Sequence, residues 1–319
     1  MSLALRGRDS ALAREALALL RAIFDERARA EHRVAVAMLD AEVALYEGDA
    51  GEAWSAIAVA QPLVPTLAEA RDRGRARVLL ASCALRAGAP IDFEPLLREA
   101  IADAVRAEDV VLEGRALAAM AVAYAGADQV SQADAVVAQA LALAARVGQP
   151  EVRARSLAAM GAVLETLGDP GTASDRLDEA AELAAAHGLG VLLAEVVLRS
   201  MVLKLRAGRD VSAAKAADVV STLARERHSS VLHHLAQCAR AVVAARTYPD
   251  PGALAGFERA LEGLPATASL ERAFVAEMRA AALAAFGDAE GAALARDDAA
   301  TIAEAAGWVS YARLLRELP

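Results

Sequence analysis

A chain of 319 residues with net charge −9 and a pI near 5.2 lacks the local excess of Lys and Arg that a phosphate-tracking surface needs, so direct nucleic-acid binding is disfavoured. Hydrophobic residues at 56%, aromatics at only 3% and charged residues at 24% give an alanine- and leucine-rich chain that excludes disorder and favours helix throughout. Two cysteines, Cys83 and Cys238, lie far apart with no CxxC, which excludes a disulfide framework and reads as two small buried thiols.

The first ten residues, MSLALRGRDS, lack the apolar core of a signal peptide. Apolar runs such as residues 116–127 are too short to span a bilayer, so no membrane partner is expected and the default location is cytoplasmic. From there the chain is punctuated by turns centred at Arg8, Gly48, Gly88, Asp128, Gly168, Gly208 and Tyr248, each forty residues after the last, and at Gly287, 39 further on. Such even spacing marks internal repeats. Gly48-Asp49, Gly168-Asp169 and Gly287-Asp288 each offer a glycine to end one helix and an aspartate to cap the next.

Taken in order, the reading is a half-repeat at 7–26, repeats at about 27–66, 67–108, 109–148, 149–188, 189–228, 229–266 and 267–306, and a capping helix at 307–318, all within one superhelical domain. Arg8 opens a second-type helix without a partner before it. The chain is therefore expected to be a fragment of a longer protein, because half a hairpin leaves an apolar face uncovered. In the repeat around Gly88, Phe93 stands where the others have alanine. The second helix there is expected to start late, capped by Asp92 with Pro95 in its first turn. Around Tyr248 the proline-rich Pro249-Asp250-Pro251 predicts a longer connection.

Five residues after the turns comes a small residue, at Ala13, Ala53, Ala133, Ala173, Ala213, Ala253 and Ala292. Seven further on, Ala60, Ala100, Ala140, Ala180, Ala260 and Ala299 form a second column, with Leu20 and Val220 as exceptions. Between them lie Leu17, Ile57, Leu97, Val137, Leu177 and Phe257. Small side chains two turns apart on one face allow helix axes to approach to ~8 Å, which a tightly packed hairpin requires.

These residues resemble the tetratricopeptide repeat: Leu117, Met120, Ala121 and Tyr124 in one copy, Leu157, Met160 and Gly161 in the next, and Ala253-x3-Phe257 with Pro265 and Ala53-x3-Ile57 with Pro65 in second halves. The forty-residue unit is longer than that family's usual one. It is similar to the repeats in the sensor regions of LuxR-type (MalT-like) bacterial regulators. The resemblance implies an all-α, right-handed α-solenoid whose first helices line a concave groove.

Motifs for chemistry are absent: no Walker glycine loop, no HExxH and no GxSxG. His233 and His234 are adjacent on a helix and point about 100° apart, a poor geometry for one metal. No catalytic residue, metal or cofactor is therefore expected. One constellation stands out. Arg75, Arg115 and Arg155 recur at equivalent positions, with Glu195 at the next. By the resemblance they face or rim the groove together with Glu165 and Arg199, and aligned guanidiniums there would clamp acidic groups of a ligand. The competing reading is inter-repeat ion pairing, for instance to Glu69, Glu108 or Glu113, and it is the favoured one.

The expected function is a non-catalytic binding scaffold or sensor region of a larger regulatory or signalling protein, with a protein or peptide partner. The alternatives are a small-molecule effector sensor and a free-standing adaptor. Oligomeric state is open.

Overall fold

Residues 10–23, 29–248, 252 and 254–318 are described in a computed structural model of the chain. Alanine, leucine and arginine fill most helix positions, and most of the helices stop where the backbone turns left-handed. One set of such turns falls at Gly48, Gly88, Asp128, Gly168, Gly208 and Gly287, and a second, interleaved set at Glu108, Gly148, Gly188, His228 and Gly307. The first set lacks a glycine only at Asp128, whereas the second lacks one at both Glu108 and His228 and is fainter in the sequence.

The leading helix is α1 (Ser10–Ile23). Seven antiparallel pairs follow: α2 (Ala30–Glu47) with α3 (Ala50–Ala58), α4 (Ala70–Ala87) with α5 (Phe93–Arg106), α6 (Val110–Gly126) with α7 (Val130–Val147), and α8 (Pro150–Thr166) with α9 (Pro170–Ala186). Then come α10 (Gly190–Arg206) with α11 (Asp210–Glu226), α12 (Ser230–Thr247) with α13 (Leu254–Gly263), and α14 (Ser269–Ala285) with α15 (Ala289–Ala305). The last helix is α16 (Val309–Glu317). The Arg8 turn, Ala253 and the Pro249–Pro251 connection lie outside the described residues. Among the described residues there is no strand, and no helix is long and apolar enough to cross a membrane. The chain is an all-helical, tetratricopeptide-like α-solenoid.

Caps form where aspartate follows the turn: Asp49, Asp169 and Asp288 accept from the backbone N–H groups of Glu52, Thr172 and Gly291 at 2.8, 2.9 and 2.8 Å. Helix α5 does start late, at Phe93 with Pro95 in its first turn, but the Asp92 side chain makes no cap hydrogen bond. Helix α3 is cut short at Ala58, and Gln61–Thr66, with Pro62 and Pro65, continue as a 3-10 segment.

The alanine columns are the floor of each hairpin. Ala53, Ala133, Ala173 and Ala213, and Ala100, Ala140, Ala180 and Ala299, are all fully buried, as are Ile57, Leu97 and Phe257 between the columns. Leu20 is only half-buried. The approach is close at Gly161 of α8, where a Cβ would sit 2.9 Å from Leu177 Cγ and 3.3 Å from the Ala173 carbonyl oxygen of α9. Both cysteines are buried, which pushes each thiol pKa up to about 12.

The superhelix winds tightly enough for distant repeats to meet. Helix α14 packs on α4, α16 packs on α6 and α8, and α10 packs on α2. Arg227 lies over the Tyr46 ring at 4.7 Å and donates to the Gly190 carbonyl oxygen at 2.8 Å. Arg313 donates to Asp128 at 2.8 Å. The inner face is therefore not an open trough along its length, because helices from the C-terminal end stand across it.

Candidate functional site

First helices carry their large apolar residues toward their own hairpins, which leaves the opposite, inward-facing positions to mixed residues. Where α4, α6, α8 and α10 converge under α14 and Trp308, these positions enclose a cavity of about 120 Å³. Its walls are apolar at Val78, Ala118, Val122, Ala158 and Phe274 and charged at Arg86, Arg115, Arg155, Glu195, Arg199 and Glu271. The low floor of Ala118, Ala119, Ala158 and Ala159 leaves room for a ligand close to the helix backbones.

Four of the six residues expected from the sequence, Arg115, Arg155, Glu195 and Arg199, line this chamber. Arg75 does not. Its side chain is 46% exposed, lies 4.0 Å from Glu42, and borders a separate hollow with Val34 and Met38. Glu165 is buried behind the chamber and holds Arg199 at 2.6 Å and Arg206 at 3.0 Å. The expected partners Glu69, Glu108 and Glu113 are not those of the arginine row; Glu42 and Glu151 are.

Arg115 and Arg155 converge on one acceptor. The Nε of each donates to the same oxygen, Glu151 Oε1, at 2.7 and 3.0 Å. Burial, and next the Arg115 cation, hold the Arg155 guanidinium below its ordinary pKa, only partly offset by Glu151 and Glu195. Burial alone would raise the Glu151 carboxyl, yet the two arginines bring it below the usual range.

A second cluster, which no sequence motif marks, lies beside the chamber. Arg206 grips Glu277 of α14 with two bonds at 2.8 and 3.1 Å, the Tyr311 hydroxyl donates to the same carboxylate, and the guanidinium lies 5.5 Å from the Tyr311 ring. Arg199 lies over Trp308 at 6.0 Å. Burial would raise the Glu165 carboxyl, but Arg199 and Arg206 bring it below its ordinary range. Glu271, 2% exposed, meets Arg86 at 3.5 Å with one oxygen, while Oε2 has no hydrogen-bond partner; burial pushes its pKa up. One signal was available for this cluster: aromatics are only 3% of the chain, and Trp308 and Tyr311 sit within four residues of each other.

His233 and His234 have ring centroids 6.1 Å apart and are tilted, and among the described residues no group of three or more His, Cys, Asp or Glu side chains could hold a metal.

No family model and no curated protein matches the sequence. Among solved structures, the chain is similar to a Rap protein crystallised in complex with Competence and Sporulation Factor, with a TM-score of 0.68 and 12% identity over 86% of this chain and 75% of that one. At that identity the likeness establishes the fold.

Proposed function

We propose that this protein is a non-catalytic helical-repeat receptor that takes part of a peptide or protein ligand into its inner chamber. The observation that carries the reading is the chamber itself: arginines and glutamates from separate helices converge on an alanine-floored space between two turns of the superhelix. Such a mixture of an apolar wall and a few charged groups recognises ligands and offers no nucleophile paired with a base. The Rap neighbour, whose structure holds Competence and Sporulation Factor, supports a ligand-binding use of the fold. In this reading Arg115, Arg155, Glu195 and Arg199 contact the ligand, Glu165 fixes Arg199, and Arg75 is a surface pair. The chamber's small volume favours a chain end or a single side chain over a long extended segment, and it equally suits a small effector.

The regulatory role follows from the closure. A ligand wedged between α6, α8 and α14 changes how the two turns of the superhelix pack, and that movement is what an output domain in a sensor or signalling protein would read. Hydrogen–deuterium exchange of the full chain with pooled short peptides tests the reading. Protection is expected on the inner faces of α6, α8 and α10; protection confined to α7, α9 and α11 would place the ligand on the outer surface and remove the proposal.

A further inference from the structure

Hydrogen-bond donors in the chamber outnumber the acceptors that meet them. At another arginine cluster the acceptors keep pace with the donors. Around the buried Asp103, Arg73 also donates to the Leu67 and Ala68 carbonyls and Arg77 also reaches Glu99 at 2.6 Å. Arg115 and Arg155 have no such second acceptor. Each donates through Nε to a single shared oxygen, and among the described residues the terminal nitrogens of neither guanidinium donate to any protein acceptor. Those nitrogens belong to side chains that line the chamber and are 38% and 27% exposed. Glu195 lines the same space and offsets part of the Arg155 charge through space, but no protein carboxylate hydrogen-bonds the four terminal nitrogens, which stand beside a low-dielectric wall of alanine and valine.

Resting on the peptide-receptor reading, we infer that the Arg115–Arg155 pair is the recognition point for a single carboxylate of the ligand, which the four free terminal nitrogens bind in a fork-like fashion. A planar carboxylate offers two oxygens to those nitrogens and brings a single negative charge beside Glu195. A phosphate, at about −1.5 to −2, would press more negative charge against Glu195, which already faces the same space. The chamber volume admits a carboxyl group, since a cavity of about 150 Å³ admits a benzene. A terminal carboxylate and an Asp or Glu side chain present the same chemistry.

The chain already holds a reporter for the experiment. Trp308 lines the chamber, so its fluorescence in a Trp54→Phe background follows occupancy. The full chain is titrated with pooled short peptides in four forms, free acids and C-terminal amides, each with and without Asp and Glu, and separately with inorganic phosphate. Free acids are expected to give a saturable change, and amides lacking Asp and Glu to bind about tenfold or more weakly. Binding by amides that retain Asp or Glu assigns the carboxylate to a side chain; its absence assigns it to the terminus. Arg115→Gln and Arg155→Gln are expected to lose the preference for acids, and Arg75→Gln, in the same row but outside the chamber, to keep it. The acid-versus-amide comparison on the unsubstituted pair needs no variant to fold. Equal binding of acids and uncharged amides would overturn this inference and leave the receptor reading standing. Saturation by phosphate but by no carboxylate would overturn the ligand class. No saturable change with any probe would overturn both.

Discussion

The Trp308 indole Nε1 donates to the Leu85 carbonyl oxygen at 3.1 Å, joining residues 223 positions apart in the chain. Leu85 lies in the last turn of α4, and Trp308 is the residue from which α16 starts, so one hydrogen bond ties the C-terminal end to the first turn of the superhelix. The ring also packs against Gly126, where an added Cβ would meet it at 3.2 Å. Trp308→Ala removes this buried ring and the donor together. It is expected to cost about 3–5 kcal/mol in denaturant unfolding and to speed amide exchange in α4 and α6. Unchanged exchange there would mean that α16 does not hold the two turns together.

Arg206 is the hinge of the buried ion cluster, since it bonds Glu165 of α8 and Glu277 of α14 at once. Arg206→Met leaves Glu165 with Arg199 alone and the buried Glu277 with no cation, only the Tyr311 hydroxyl, and about 3–5 kcal/mol of destabilisation is expected. The pH dependence has a definite sign. The Glu165 carboxyl lies below its ordinary range because Arg199 and Arg206 outweigh the effect of burial. Its stabilisation is therefore present above the unfolded-state pKa of about 4.3 and lost as pH falls through the lower folded value. Thermal unfolding midpoints measured between neutral pH and about pH 3 should fall more steeply for the natural chain than for Glu165→Gln. Parallel curves would show that Glu165 gains nothing from its partners.

The hairpins were legible in the sequence, because everything that builds them is local. Gly48, Gly168 and Gly287 end helices, the aspartates after them cap the next ones, and the alanine pairs Ala133 and Ala140, Ala173 and Ala180, and Ala292 and Ala299 each lie on one helix face. Repeat equivalence also put Arg115 and Arg155 in one row. The same logic could not show that Arg75 falls outside the chamber, or that Glu151, four residues before Arg155, would serve both arginines. Contacts such as Tyr46 with Arg227, Leu85 with Trp308 and Asp128 with Arg313 depend on the superhelical pitch. That pitch is the sum of small rotations at every repeat and has no local signature.

Gly161 offers a test of how close the hairpin packing is. In an unconstrained helix, Gly→Ala stabilises by about 1 kcal/mol. Here the new methyl would lie 2.9 Å from Leu177 Cγ and 3.0 Å from its Cδ2, and both groups are buried between α8 and α9. Overpacking of this kind costs about 1–3 kcal/mol and outweighs the helix gain. Gly161→Ala is therefore expected to lower the unfolding midpoint, and restoring space with Gly161→Ala plus Leu177→Val to recover part of it. A stabilised single variant would show that α8 and α9 are free to move apart.

The Arg86–Glu271 contact is weak enough that its loss should help the fold. Glu271 is buried, one of its oxygens is 3.5 Å from Arg86 Nη2 and the other has no partner. Burial raises its pKa, and Arg86 only partly counters this. A raised folded-state value means that its contribution is most favourable below the unfolded pKa and is lost as pH rises through the folded value. At neutral pH the charged carboxylate is thus a burden. Glu271→Gln removes the charge, keeps the shape, and leaves Arg86 under the influence of Glu195. Its free energy of unfolding, measured in urea from about pH 4 to 8, should match or exceed that of the natural chain at pH 7, with the advantage shrinking toward the acid end. A less stable variant at pH 7 would show that the Arg86 guanidinium depends on Glu271 for its charge balance and that the pair is a net stabiliser of the α4–α14 contact.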